Sequence, residues 1–460
     1  MNIPVVTVGS GVGNLVQDLE RLHGPVTVVR RCAEMPELIA ACQSGIARAA
    51  IVADDAGEVT AALAERLAAS GVALLVLADE EGVLRRLDAL NIVHAPRGSA
   101  PEVLSDLVSD AVDRMKTGPG SASTADPAAA LDGWAMEADG GFRRLGEAGG
   151  APGERPAVQR VSGRGAAENG PETGSGGSRT DGSVIAVWGP AGAPGRTMLA
   201  VNFAAEAAAA GKTVLLIDAD TYGSSVAAHL GLLDESAGVA QACRLADQGL
   251  LDTDSLLRST LSVSIKGERL LVLTGITRSD RWIELRPTAL GLVVEQARKA
   301  ADLIIIDCGF SLEADEELSF DTMAPRRNGA TLRALELADT VFAVGSADSV
   351  GVPRLVRALG ELESAVPGSA PKVVLNKVRS SSVGRSPERQ LRDAWERFGP
   401  GTPVTAFLPA EFATVDAALL AGSALLETAP SSPLRHAIAA LANVRVSTRR
   451  RVRRAQTAAK

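Results

Sequence analysis

A Gly- and Pro-rich loop is the first place where the sequence could bind a charged ligand. It reads Gly-Pro-Ala-Gly-Ala-Pro-Gly-Arg-Thr over residues 189–197, between an apolar run and a helical stretch. Small residues let backbone N–H groups close around phosphate oxygens, and the start of a helix adds the positive end of its dipole. The loop therefore predicts an anion-binding site. The residues expected to contact the ligand are Gly189, Gly192, Ala193, Pro194, Gly195, Arg196, Thr197 and Met198.

Acidic and amide side chains follow three other apolar runs. Val-Leu-Leu-Ile leads into Asp218 and Asp220, Leu-Ile-Ile-Ile leads into Asp307, and Val-Val-Leu leads into Asn376. Carboxylates can bind a divalent cation, and an amide can both donate and accept a hydrogen bond. These strand-end residues are therefore candidates for ligand binding.

The elements that must position these residues are buried strands. From residue 183 onward, aliphatic runs alternate with helical stretches, and each run is continuously apolar. Continuous apolar strands are covered on both faces, as in α/β proteins with a mostly parallel sheet. The predicted strands are 184–188, 214–217, 270–273, 303–306, 341–344 and 373–375.

The order of these motifs resembles the MinD/ParA family of deviant P-loop positioning ATPases, whose loop typically reads KGGxGK[ST]. Gly192, Gly195 and Thr197 match that pattern, while Ala191 stands at the signature lysine and Arg196 stands at the loop lysine. The resemblance extends over residues 183–445, and it implies a P-loop domain that binds ATP and Mg²⁺.

The resemblance also implies a role for each polar residue. Asp220 would be the catalytic residue that orients the attacking water, and Asp218 would lie near Mg²⁺ and the loop. Thr197 and Asp307 would be the metal ligands.

The base of the nucleotide has its own predicted contacts. Asn376 would read adenine, which favours ATP over GTP, and Pro409 would flank the base.

The two missing lysines predict slow or absent hydrolysis. In the family, the signature lysine reaches phosphates across a nucleotide-sandwich dimer, so Ala191 removes a cation that stabilises transition-state charge. Arg196 keeps a positive charge but directs its donors differently from an ammonium. The working hypothesis is a nucleotide-responsive factor with slow or absent hydrolysis. The alternatives are an active Mg²⁺-dependent ATPase that uses Arg196, and a nucleotide-free scaffold.

Residues 1–117 alternate apolar runs with helical stretches in the order of a flavodoxin- or receiver-like (βα)5 sheet. A working receiver needs acids after the first strand, an acceptor Asp after the third, Ser or Thr after the fourth and Lys after the fifth. These positions hold Gly9 and Ser10, Asp54 or Asp55, Ala78, and Ala95 before Pro96. A degenerate receiver that serves for docking or dimerisation is therefore expected.

A receiver-like domain joined to an atypical MinD-like domain resembles the CpaE/TadZ proteins, which localise pilus or secretion machinery. This resemblance implies protein partners from a pilus, secretion or division machine, and it is compatible with a homodimer. The stretch between Asp307 and Leu332 is longer and more acidic than the usual family switch. We interpret it as an interaction lid in which Arg326 or Arg327 could replace a missing lysine.

Two segments are predicted to lie outside any core. Residues 118–182 are rich in Gly, Ala, Pro and Ser, so they predict a disordered linker, with a more apolar island from Trp134 to Leu145. The tail 446–460 is basic, as is Arg445 before it. The tail is compatible with weak contact to anionic membrane or DNA, and equally with a solvated end.

Bulk properties narrow the class of protein. The net charge of -8 argues against general nucleic-acid binding, and four cysteines without metal-ligand spacing predict reduced core residues. The chain starts without a signal-like segment and lacks a long apolar span. We therefore expect a cytoplasmic protein, with peripheral contact at the inner face of the cell membrane as the alternative.

Overall fold

The computed structural model describes residues 2–9, 12–22, 24–54, 56–117, 181–232, 237–313 and 325–443. The basic tail, the apolar island and all of the predicted linker except its last two residues lie outside these ranges. Residues 314–324 of the predicted lid also lie outside them. Within the described ranges, no helix is long and apolar enough to cross a membrane, and the four cysteines are buried and free, as predicted.

The N-terminal part forms a five-stranded parallel sheet in the order β2-β1-β3-β4-β5, as the alternation of runs predicts. Helices α1 and α5 cover one face, and α2, α3 and α4 cover the other. The strands are β1 Ile3–Val8, β2 Val26–Cys32, β3 Ala49–Val52, β4 Ala73–Leu77 and β5 Val93–Ala95. The helices are α1 Val12–Arg21, α2 Met35–Gln43, α3 Ala61–Ala69, α4 Glu81–Ala89 and α5 Pro101–Thr117, with a 3₁₀ turn at Ala56–Glu58.

The C-terminal part forms an eight-stranded sheet in the order β13-β12-β11-β6-β10-β7-β9-β8. All neighbouring pairs are parallel except β8 and β9. This arrangement is the predicted α/β class with a mostly parallel sheet. The strands are β6 Ser183–Trp188, β7 Val214–Ala219, β8 Leu261–Ile265, β9 Glu268–Leu273, β10 Leu303–Cys308, β11 Thr340–Ser346, β12 Lys372–Val378 and β13 Val404–Pro409.

Twelve helices in the described ranges accompany this sheet. Helices α8, α10, α11, α12 and α14 contribute to the core on one face, and α6, α7, α15, α16 and α17 contribute to the core on the other. They are α6 Arg196–Ala209, α7 Val226–His229, α8 Gly238–Asp247, α9 Thr253–Arg258, α10 Pro287–Ala300, α11 Gly329–Leu337, α12 Gly351–Ala365, α13 Ser380–Val383, α14 Pro387–Phe398, α15 Phe412–Ala421, α16 Leu425–Thr428 and α17 Pro433–Leu441, and a 3₁₀ turn spans Ser279–Glu284.

The two sheets belong to one compact unit. The Oδ1 atom of Asp247, at the end of α8, accepts a hydrogen bond of 2.8 Å from the backbone N–H of Ala62 in the first turn of α3. The hydroxyl of Thr288 on α10 donates to the Glu65 carboxylate on α3. Leu292 on α10 also packs against the core of the N-terminal sheet. The α3 surface is therefore covered by α8 and α10.

Candidate functional site

The predicted phosphate loop connects central strand β6 to α6 and has the backbone of an anion-binding turn. Gly192 and Gly195 have φ of 105° and 98°, and Ala193 has φ of 52°. A side chain at Gly195 would bring its Cβ to 2.3 Å from Nδ2 of Asn376, so only glycine fits there. The loop opens onto a cavity of about 450 Å³. The cavity is lined by Ala191, Gly192, Ala193, Pro194, Gly195, Arg196, Thr197, Met198, Asp220, Tyr222, Gly223, Ser225, His229 and Phe310.

Arg196 lies at the first position of α6, and its guanidinium is held by the ends of neighbouring strands. Its Nε donates to the Cys308 carbonyl at 3.1 Å, and its Nη1 donates to the carbonyls of Gly189 and Pro190 at 3.1 and 3.2 Å. Its Nη2 lies 3.1 Å from Oδ2 of Asp220. A guanidinium has five N–H donors. These four contacts leave one donor for any ligand, and the side chain is only 13% exposed.

Asp220 is engaged on both of its carboxylate oxygens. Its Oδ2 pairs with Arg196, and its Oδ1 accepts hydrogen bonds from the backbone N–H groups of Tyr222 and Gly223 at 2.9 and 3.0 Å. The side chain is 5% exposed but contributes to the cavity wall. Orientation of a water molecule by this carboxylate would require the contact with Arg196 to open.

Thr197 and Asp307 meet beneath the loop. The Thr197 hydroxyl donates to Oδ2 of Asp307 at 2.6 Å, and the Ser225 hydroxyl lies 3.1 Å from the Thr197 hydroxyl. The Oδ1 atom of Asp307 is buried and has no hydrogen-bond partner in the described part of the chain. Burial, followed by the nearby charge of Asp218, raises the pKa of the Asp307 carboxyl well above its ordinary value.

These residues fit a magnesium ion. Mg²⁺ prefers oxygen ligands and is usually bound by one or two protein groups together with phosphate oxygens and water. Thr197 offers a hydroxyl, and Asp307 offers a carboxylate oxygen that lacks a partner. No group of three or more His, Cys, Asp or Glu residues in the described ranges could hold a metal ion by itself. A metal here would therefore depend on ligand oxygens as well as on the protein.

Asp218 shapes the turn after β7. Its Oδ1 accepts from the Asp220 N–H at 3.2 Å, and its Oδ2 accepts from the N–H groups of Ser225 and Val226 at 3.0 and 3.1 Å. Despite these three donors, burial raises the pKa of its carboxyl to about 7. Asp218 pairs in register with Asp307 on the neighbouring strand, so the two predicted acids are adjacent. Asp218 is not part of the cavity wall.

Asn376 is buried beside the loop, and both ends of its amide are engaged. Its Nδ2 donates to the Pro194 carbonyl at 2.8 Å, and its Oδ1 accepts from the Lys377 backbone N–H at 2.8 Å. The amide therefore braces the loop. Pro409 ends the neighbouring strand β13, where it pairs with Val378. Neither Asn376 nor Pro409 lines the cavity.

Two further cations contact the outer side of the loop and were not among the predicted site residues. The Lys377 ammonium donates to the Ala193 carbonyl at 2.7 Å, and Nη1 of Arg354 donates to the Ala191 carbonyl at 3.0 Å. The position of Lys377 next to Asn376 was a sequence signal that could have indicated the first contact. Arg354 is distant in sequence and had no such signal.

An aromatic pair on the cavity wall was also missed. The rings of Tyr222 and Phe310 lie 4.8 Å apart between centroids. Arg327, one of the two arginines proposed to replace a lysine, lies 4.4 Å from the Tyr222 ring centroid and donates to the Thr221 carbonyl. Arg326 lines a separate cavity between α3, α10 and α11. Arg327 thus contacts one of the rings that form the wall of the site.

Three solved structures are similar to part of this chain. Cell division ATPase MinD from Pyrococcus furiosus is 19% identical, with 57% of this chain and 97% of that chain covered and a TM-score of 0.43. A ParA family ATPase from Chlorobium tepidum TLS is 20% identical, with 57% and 98% covered and a TM-score of 0.48. The septum site-determining protein MinD from Pyrococcus horikoshii OT3, solved with Mg-ADP, is 18% identical, with 56% and 94% covered and a TM-score of 0.43.

Sequence comparison gives the family. No curated protein matches the chain. The family model described as "CobQ/CobB/MinD/ParA nucleotide binding domain" matches residues 185–419, which is just over half of the chain. The matched range contains the loop, the three strand-end acids, Asn376 and Pro409. The chain therefore belongs to the CobQ/CobB/MinD/ParA nucleotide-binding family.

Proposed function

We propose that the protein is an ATP-binding localisation or positioning factor of the MinD and CpaE type, in which hydrolysis is slow or lost. The observation that carries the proposal is the Thr197–Asp307 pair beneath a loop with three left-handed residues. The loop offers backbone N–H groups to phosphates, and the pair offers oxygens to Mg²⁺, which would bridge the nucleotide to the protein and neutralise phosphate charge.

Slow ATP turnover is supported by the residues at the positions where hydrolysis needs a free cation and a free carboxylate. Arg196 holds the Asp220 carboxylate, and Ala191 offers no cation. Transition-state stabilisation in phosphoryl transfer depends on positioned positive charge and an oriented nucleophile. ATP binding without rapid hydrolysis would leave the bound state long-lived, which suits a factor that signals by occupancy.

The rest of the chain fits a localisation role in this proposal. Residues 1–117 act as a degenerate receiver-like docking domain, 118–182 as a linker, 183–445 as the nucleotide domain and 446–460 as a basic tail. Protein partners come from a pilus, secretion or division machine, and the nucleotide domain forms a homodimer when ATP is bound. The tail gives the cytoplasmic protein a weak attraction to anionic membrane or DNA.

An active ATPase is the second candidate, because Arg196 and Asp220 both line the cavity. In that case Arg196 would move onto the phosphates and free Asp220 to orient water. The two candidates differ in steady-state phosphate release. ATP turnover that disappears in Asp220→Ala would support the active ATPase. ATP binding without turnover would support the localisation factor with slow or lost hydrolysis.

The experiment combines a thermal shift with a phosphate-release assay on the full chain. We expect Mg-ATP to raise the melting temperature of the wild type and to have little effect on Asp307→Ala, which lacks the carboxylate beneath the loop. We expect slow or undetectable phosphate release. A wild type that shows no shift with Mg-ATP would contradict the proposal and leave the scaffold alternative.

A further inference from the structure

Lys377 has a disfavoured backbone at the point where it touches the phosphate loop. Its φ is 61°, in the left-handed region that side chains with a Cβ seldom adopt. Its ammonium lies 2.7 Å from the Ala193 carbonyl, and Ala193 itself has φ of 52°. Two unfavourable conformations therefore meet at one contact. Such outliers persist where the surrounding structure holds them, and they concentrate at ligand sites.

The surroundings of Lys377 account for this conformation. The pairing of β12 with β13 changes register between Leu375 and Val378, which places Lys377 in a bulge. Bulges redirect a side chain and are common beside active sites. Asn376 fixes the bulge to the loop, because its amide accepts from the Lys377 N–H and donates to the Pro194 carbonyl. The Lys377 side chain is thereby directed onto the loop.

Positive charge for a phosphate group is scarce inside the loop. Arg196 has four of its donors on protein oxygens, including Asp220. The Lys377 ammonium, in contrast, makes one hydrogen bond, to a neutral carbonyl, and no ion pair within the described ranges. An ammonium has three N–H donors on a flexible stem. The Ala193 carbonyl uses only one of them, so little is lost when the ammonium moves onto a phosphate.

We propose that Lys377 is a phosphate-binding residue that supplies, from β12, the ammonium missing from the loop. Its Nζ leaves the Ala193 carbonyl and binds the terminal phosphates of the nucleoside triphosphate. This inference rests on the proposed function, because it needs a nucleotide at the loop. Arg354 is the alternative cation, but its contact with Ala191 involves no strained backbone at position 354.

Titration calorimetry on the full chain tests the role of Lys377 through its charge. We expect Lys377→Met to weaken Mg-ATP binding at least about tenfold and to leave AMP binding nearly unchanged, because AMP lacks the terminal phosphates. Lys372→Met is the matched control, since Lys372 is an exposed lysine on the same strand. It should bind ATP like the wild type.

A second variant separates phosphate binding from folding. Lys377→Gly relieves the left-handed strain, so we expect a melting temperature equal to or above that of the wild type together with the same loss of ATP affinity. If Lys377→Met and Lys377→Gly bind ATP as the wild type does, or if Arg354→Ala alone lowers the affinity, the inference is wrong while the proposed function stands. If the wild type binds no nucleotide, both are wrong.

Discussion

Arg196 and Asp220 hold each other across the candidate site, and this contact sets the expected chemistry. The guanidinium bridges Gly189, Pro190 and Cys308 carbonyls as well as the Asp220 carboxylate. An ammonium could not bridge so many acceptors in one plane, since it is a compact charge on a flexible stem. The arginine therefore both retains charge at the loop and withholds Asp220 from water.

Restoring both lysines should release the proposed block. We expect Ala191→Lys combined with Arg196→Lys to raise steady-state ATP turnover at least about tenfold, because a cation is added and Asp220 is freed. Phosphate release measures the change, and the same double variant with Asp220→Ala is the control. Turnover that stays at the wild-type level would show that the missing lysines do not limit hydrolysis.

Proton binding at the buried acids gives a pH dependence. The folded protein keeps the Asp218 proton up to about pH 7, whereas the unfolded chain releases it near 3.8. The folded state thus binds more protons between these values, so this group makes the free energy of unfolding fall as pH rises through that window.

In the presence of a metal chelator, we expect the melting temperature to decrease from pH 5 to about pH 7. Asp307→Asn should give a shallower decrease, because it removes the Asp307 carboxyl, whose own pKa burial raises well above its ordinary value. Differential scanning calorimetry at several pH values measures both proteins. A melting temperature that rises over this interval would contradict the assignment of the buried protons.

At the scale of elements, the central strands were predictable and the edge strands were not. Runs such as Leu303–Cys308 are continuously apolar because both faces of the sheet are covered. The edge strand Leu261–Ile265 alternates with serine, and Val404–Pro409 is mostly half-buried, so neither carries that signal.

The candidate site was likewise predictable only in part. The loop and the strand-end acids follow from local sequence. The Arg196–Asp220 pair and the Lys377 contact depend on side chains that only the folded chain brings together. Sequence reasoning assigned Asn376 to the base, whereas its hydrogen bonds to the loop and to the Lys377 N–H depend on a bulge that no local pattern indicates.

The junction of loop and helix should be sensitive to a single methyl group. Gly195→Ala combines a left-handed backbone with a Cβ 2.3 Å from Asn376, whereas Gly211→Ala has φ of 88° and open space. We expect Gly211→Ala to lower the free energy of unfolding by about 1 kcal/mol. Gly195→Ala should lower it by roughly 2 to 4 kcal/mol because strain and a clash add. Urea denaturation compares the two, and equal losses would contradict the bracing role of Asn376.

At the scale of the whole molecule, the N-terminal part is held against the nucleotide-binding part by polar and apolar contacts around α3. Asp247 accepts from the first turn of α3, where Thr60 also caps the N-terminus. Helix α10 contributes Thr288 and Leu292 to the same junction and packs on β10, the strand that carries Asp307. Through α10, the N-terminal part is thus in contact with an element that packs beside the site.

Removing the Asp247 carboxylate tests the strength of this attachment. We expect Asp247→Ala to lower the free energy of unfolding by about 1 kcal/mol, as loss of an N-terminal helix acceptor usually does. Asp254→Ala, at an exposed acid in the first turn of α9, should change it much less. Urea denaturation of both variants measures the difference. An Asp247→Ala protein as stable as the wild type would show that the hydrogen bond to Ala62 adds nothing to the attachment.

The central claim is that the loop binds a triphosphate although both expected lysines are absent. Isothermal titration of the full chain with ATP, with and without Mg²⁺, tests this claim most directly. The account predicts one binding site per chain in the presence of Mg²⁺ and a clear loss of affinity when Mg²⁺ is removed or Thr197 is changed to Ala. Binding that is absent, or that is unaffected by both changes, would contradict it.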